Sequence, residues 1–264
     1  MAGQTAPGLP ASQREGRPFN RRTLRGMMGP SNKIFHILES ECIDSVLLFK
    51  DDFMGVLNTD YWTVSNSGGA GQSDFARSAS VLDGIVRGDA GTTDDGDVRL
   101  FFTSNLVFLG NNRPVMLARV RMPSTVANSK FEVGFANAAG AGAALVKDTP
   151  TSTAADYAVI IRDTDDDTSV DLVTDGTTDA AGLVASSPGI TFTTNTYYTL
   201  MLAINELREC YFWIDGVYQG VRRAGPDNDV AIGPWFYVQD RDDANNKQLD
   251  IDYVQLWQDR VGVL

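Results

Sequence analysis

Two carboxylates spaced two apart on a strand share a face and can flank a single glycosidic bond. Asp250-Ile251-Asp252 has this spacing, while Glu132-Val133-Gly134 offers one carboxylate and then a glycine where its partner would stand. Glu41 and Asp44 are three apart, and the other glutamates, Glu15, Glu39, Glu206 and Glu209, are scattered. His36 is the only histidine, so any Ser-His-Asp or Cys-His arrangement would depend on one imidazole beside an apolar run. One histidine and two distant cysteines, Cys42 and Cys210, also fall short of a zinc site. The two cysteines read as buried thiols. Catalytic residues, metal ligands and cofactors are therefore all expected to be absent, and the chain is expected not to be an enzyme.

Asp163, Asp165 and Asp167 open like a calcium loop, but such a loop needs Gly at position six and Glu at twelve. Those positions hold Thr168 and Thr174. Lying between YAVIIR and SVDLV, the acidic run reads instead as a turn in which Asp caps its own backbone. Asp94 to Asp97 and Asp240 to Asp243 read the same way.

Sugar stacking would need exposed rings beside polar groups, and Trp235, Tyr237 and Tyr218 are the candidates. Strand alternation sets Phe236 opposite Trp235 and Tyr237, and most bulky aromatics, including Trp62, Trp213 and Trp257, are expected in the core.

The elements that must position these residues are strands. From Tyr197 to Trp257 apolar and polar residues alternate with a period of two, broken by Asp-Gly and Gly-Pro. Asp215-Gly216 predicts a type I′ hairpin turn between strands at Cys210–Ile214 and Val217–Val221. Further strands are predicted near 81–87, 98–103, 115–122, 130–136, 157–162, 169–174, 190–193, 197–205, 232–239 and 249–257. Val46 to Phe49 also suits a strand, entered from a short helical or irregular segment. Small polar residues at 140–144 and 149–155 read as an exposed loop. Strand after strand without an amphipathic helix predicts a two-sheet sandwich.

Three phrases carry a family resemblance: DDFMGVLNTDYW at 51–62, the strand ending Phe212-Trp213-Ile214-Asp215-Gly216, and Leu249-Asp250-Ile251-Asp252-Tyr253-Val254-Gln255-Leu256-Trp257. They resemble the concanavalin A-like superfamily of lectins, glucanases and laminin G-like modules. The resemblance spans roughly 51–257 and implies an antiparallel jelly-roll β-sandwich. Glucanases of this fold carry Glu-x-Asp-x-(x)-Glu on one strand, a pattern no stretch here matches.

In the 264-residue chain, Arg14, Arg17, Arg21, Arg22, Arg25 and Lys33 stand against a single acid, Glu15, in the first 33 positions. The remainder is thus more acidic than the net charge of −12. Four prolines and no periodicity make this stretch an extended basic arm, drawn as 1–43 ahead of a sandwich at 44–264. Arg14, Arg17, Phe19, Arg21, Arg22 and Arg25 are expected to contact an acidic partner subunit. An acidic body repels nucleic acid and anionic lipid, and no apolar run suits a signal peptide or membrane span. An unsecreted sandwich behind an arginine-rich arm resembles capsid-decorating proteins of tailed bacteriophages. That resemblance implies a virion cement protein without enzymatic activity. It would be a homotrimer tied to the major capsid protein by its arm and assembled in the host cytoplasm. The alternative expectation is a glycan-binding module of a phage tail or fibre.

Overall fold

The computed structural model describes residues 46–78, 84–102, 108–137, 154–165, 168–176, 184–186, 188–242 and 245–259. The chain divides into two units, Met1–Ile43 and Asp44–Leu264. The arm with its arginines, His36, Cys42 and residues 140–144 and 149–153 of the expected loop lie outside the described residues. Ala154, at the end of that expected exposed loop, is buried.

Among the described residues sixteen strands form: β1 (Val46–Asp51), β2 (Trp62–Asn66), β3 (Ser73–Arg77), β4 (Val86–Asp89), β5 (Asp97–Phe102), β6 (Phe108–Leu109), β7 (Val115–Arg121), β8 (Ser129–Ala136), β9 (Tyr157–Asp163), β10 (Asp171–Asp175), β11 (Val184–Ser186), β12 (Tyr198–Ile204), β13 (Cys210–Ile214), β14 (Val217–Arg222), β15 (Ala231–Asp240) and β16 (Gln248–Asp259). Among the described residues the one helical element is a short 3₁₀ turn at Gly110–Asn112.

The first sheet runs β14-β13-β12-β7-β16-β4-β3, with β1 also on β16. Its long strand β16 pairs with β7 along one edge and with β1 and then β4 along the other. The second sheet runs β11-β10-β9-β8-β15-β5-β2, with β6 also on β15. All pairings are antiparallel, as period-two alternation requires. The Asp215-Gly216 turn forms as predicted: both residues have positive φ, +50° and +75°, and the Asp215 carboxylate accepts the Thr199 amide.

Between the sheets lies one apolar layer in which Trp62, Leu100, Phe131, Val133, Phe212, Phe236, Ile251 and Leu256 interdigitate. Two strand expectations shift. Of the strand predicted at 81–87, residues 81–83 lie outside the described residues and the described ladder begins at Val86, while Ile190–Thr193 joins no ladder. Phe192 still fills the core there, stacked on Tyr198 with centroids 3.9 Å apart and on Phe131. Burial without ladder hydrogen bonds reproduces the hydrophobic signal of a strand, which is why this segment resembles one in sequence.

Candidate functional site

Alternation along β8 sends Phe131, Val133 and Phe135 inward and leaves Lys130, Glu132 and Gly134 on the outer face of the second sheet. Register then builds rows across four strands. Asp97, Gln239, Lys130 and Asp163 form one row; Arg99, Tyr237, Glu132 and Ile161 the next; Phe101, Trp235, Gly134 and Val159 a third. The residues of these rows are buried.

The centre of this face is ionic. Lys130 Nζ lies 3.1 Å from Glu132 Oε1 and 3.8 Å from Asp163 Oδ2. Trp235 donates its indole N–H to Glu132 Oε2 at 2.8 Å. Arg241 holds Asp163 at 2.5 Å, and Arg99 holds Asp97 at 2.7 Å. Lys130 also lies 5.6 Å from the centre of the Tyr237 ring, which stacks on Trp235 at 6.2 Å and 11°. Burial pushes the Asp97 carboxyl above its ordinary range, against the pull of Arg99, and pushes the Tyr237 hydroxyl well up.

Gly134, the position two beyond Glu132, cannot supply a second carboxylate, because a Cβ there would collide with the Ala158 carbonyl oxygen. The carboxylate that shares the Lys130 ammonium with Glu132 is Asp163 of β9. Glu132 and Asp163 share one ammonium, so they can be no further apart than those two contacts together. Sequence spacing could not reveal this pair, because its members lie on different strands. In this structure Glu132 is fully buried, so a substrate must displace what covers it before touching it.

The acidic runs serve as ion-pair partners and turn caps. Asp163 accepts the Asp165 amide at 3.3 Å while holding Arg241 and Lys130. Asp250, with Asp252 the other two-apart pair, is buried between Arg87 at 2.6 Å and Arg121 at 2.9 Å, and Asp252 pairs with Arg119 at 2.5 Å. Among the described residues no group of three or more His, Cys, Asp and Glu is placed to hold a metal ion.

The three ring candidates do not form one site. Trp235 and Tyr237 are buried on the second sheet's outer face, and Tyr218 lies on the outer face of the first. All four tryptophans are buried, as expected, but only Trp62 lies between the sheets; Trp213, Trp235 and Trp257 are buried on outer faces. Alternation separates two faces of a strand but does not say which faces the partner sheet.

A three-ring cluster lies at the edge of the first sheet, with Tyr218 its exposed member and Trp213 buried. Tyr211 and Trp213 project outward from β13, and Tyr218 of β14 sits across from Trp213. Ring centroids lie 6.2 Å apart for Tyr211–Trp213, 6.5 Å for Tyr211–Tyr218 and 5.6 Å for Trp213–Tyr218. Tyr218 is 48% exposed, with Val217 beside it 62% exposed. Polar groups flank the rings: Tyr211 donates its hydroxyl to Glu209 Oε2 at 2.8 Å, and Glu209 also meets the exposed guanidinium of Arg223 at 3.4 Å. Burial, then the Glu209 contact, raises the Tyr211 hydroxyl far above its ordinary range, so it stays a donor.

No family profile and no curated protein matches this sequence. Solved structures do match. A protein of unknown function from Shewanella oneidensis MR-1 superposes with TM-score 0.56 and 12% identity, covering 98% of this chain and 99% of that one. A Bacillus licheniformis β-glucanase gives 0.53 and 12%, covering 81% and 98%. The carbohydrate recognition domain of Emp47p gives 0.54 and 9%, covering 80% and 95%. The fold is thus the concanavalin A-like sandwich. These matches also correct the expectation of a non-enzyme: several similar structures are glucanases or glycosyl hydrolases, so the fold is one on which glycan hydrolysis is performed.

Proposed function

We propose that this chain is a glycan-directed concanavalin A-like module and that sugar docks on the exposed Tyr218 ring, which Trp213 and Tyr211 back from beneath and beside it. The observation that carries this reading is Tyr218: it joins a three-ring cluster, keeps 48% exposure, and has Glu209 and Arg223 nearby to pair with hydroxyls. An aromatic ring supplies an apolar face for a pyranose, and a few fixed polar groups set orientation. Glycan-array screening followed by calorimetry on the best hit tests it. Binding should be detected in the wild type and fall about tenfold or more in Tyr218→Ala, the roughly 1.4 kcal/mol of one lost ring contact. A reducing-end assay on the bound glycan then reads whether cleavage follows, and Glu132→Gln assigns any cleavage to the Glu132–Asp163 pair.

A second reading is favoured by the charge contrast between the arginine-rich first 33 positions and the acidic remainder. In it Arg14, Arg17, Phe19, Arg21, Arg22 and Arg25 tie the sandwich to an acidic subunit of a virion, as in a capsid-decorating trimer. Co-purification with intact particles, lost when residues 1–33 are deleted, is the result this reading requires. The two readings are compatible, since a displayed sandwich is free to meet a host glycan.

A further inference from the structure

The local charge beside the Tyr211–Tyr218 rings is opposite in sign to that of the chain, which carries −12 overall. Glu209 and Arg222 act on the Tyr218 hydroxyl, and Glu209 and Arg223 act on that of Tyr211. The carboxylate is already committed. Its Oε2 accepts from the Tyr211 hydroxyl at 2.8 Å and from Asn205 Nδ2 at 3.0 Å, while Oε1 faces Arg223 Nε at 3.4 Å. The guanidiniums are less engaged. Arg223 has 85% of its side chain exposed, its contact with Glu209 is its only ion pair among the described residues, and its two Nη groups meet no acceptor there. Arg222 stands opposite Cys210, whose thiol lies in the core, so its side chain leaves the other face of β14 and contributes charge rather than contact. No carboxylate among the described residues pairs with it: Nη1 donates to the Val221 carbonyl, and Nε is buried without an acceptor. Two cations against one anion leave one positive charge uncompensated beside the rings.

We propose, resting on the docking of sugar at Tyr218, that the glycan is anionic, and that its carboxylate or sulfate pairs with the Arg223 guanidinium while a sugar ring lies on Tyr218. A guanidinium offers its N–H groups as a planar fork that matches the paired oxygens of such an anion. Tyr211 sets the spacing, since its ring centre is 6.5 Å from that of Tyr218 and its hydroxyl bonds the carboxylate that faces Arg223. A sugar on Tyr218 therefore has Tyr211 beside it and the guanidinium beyond, in reach of a substituent or of the adjoining residue. The net negative charge of the chain acts at long range and is screened over about 8 Å at physiological salt, so the contact pair decides selection.

The test is a glycan array carrying neutral glycans beside their sialylated, uronate-containing and sulfated counterparts. It is read with wild type, Arg223→Gln, Arg223→Lys and Tyr218→Ala, and followed by calorimetry on the best matched pair. Wild type should bind the anionic member about fivefold or more tightly than its neutral parent. Arg223→Gln should lose about fivefold on the anionic member and nothing on the neutral one, the upper end for an exposed ion pair. Arg223→Lys keeps the charge without the fork and should retain part of the preference. Sialylated and uronate hits identify a carboxylate as the recognised group, and sulfated hits a sulfate. Because Arg223 is exposed, its variants should melt with wild type. Matched members binding alike, or an anion preference that survives Arg223→Gln, overturns this inference, while loss in Tyr218→Ala would leave docking on Tyr218 standing. An array without hits, or affinity untouched by Tyr218→Ala, overturns that docking and this inference with it.

Discussion

Lys130→Met isolates what the buried ion cluster contributes. The substitution keeps the apolar stem and removes the ammonium that lies 3.1 Å from Glu132 and 3.8 Å from Asp163. Asp163 keeps Arg241 at 2.5 Å, so the lost attraction falls mainly on Glu132. Trp235 still donates to Glu132, which softens the loss. Breaking a buried pair by deleting one partner costs about 3 to 5 kcal/mol, and these remaining contacts place Lys130→Met near the lower figure, about 3 kcal/mol. For a domain of this size that is a fall in Tm of roughly 6 to 12 °C. Lys130→Met/Glu132→Gln should recover at least about 1 kcal/mol over Lys130→Met, because a neutral amide can still accept from the indole and no longer needs a cation. Urea unfolding followed by tryptophan fluorescence measures all three, with Trp235 reporting directly on the site. A Lys130→Met protein within about 0.5 kcal/mol of wild type, or a double variant no better than the single, refutes the reasoning.

Gly134→Ala should destabilise by about 3 kcal/mol or more, since a Cβ driven into the Ala158 carbonyl forces β8 and β9 apart; equal melting with wild type would show that the strands yield freely. Cys210 is fully buried and its thiol is pushed far up by desolvation, so in a Cys42→Ser background a thiol reagent at pH 8 should label it only after unfolding. Rapid native labelling would contradict its placement. Asp97 has a folded-state value raised above 3.8, chiefly by burial, so its contribution to stability is full below that value and declines as pH rises through the raised one. From about pH 4 to 7, wild type should therefore lose stability relative to Asp97→Asn; parallel curves would remove burial as the dominant influence on this carboxyl.

Most strands were legible from apolar residues bounded by turn residues, even where, as in β8 and β9, both faces are buried: β13 coincides with the predicted 210–214, and β8, β9, β12, β15 and β16 fall within a few residues of expectation. β3 (SDFAR), with little apolar content, and β6, only two residues long, left no periodic signal. What the sequence could not supply was anything set by register. Glu132 and Asp163 meet only because Lys130 pairs with Asp163 across β8 and β9, and Asp240 meets Lys247 only because a loop folds back. Both exceed what spacing along one strand can encode. Tyr218 was readable as a ring, but its separation from Trp235 and Tyr237 depends on which strands share a sheet.

The central claim is that this sandwich engages carbohydrate through the β13–β14 platform. Calorimetric titration of a glycan-array hit into wild type, Tyr218→Ala and Trp235→Phe tests it most directly. The account predicts binding in wild type, a roughly tenfold or greater loss in Tyr218→Ala with an unchanged melting profile, and near-wild-type affinity in Trp235→Phe, whose ring lies on the other sheet. An array without hits, or affinity that survives Tyr218→Ala and falls in Trp235→Phe, would contradict it.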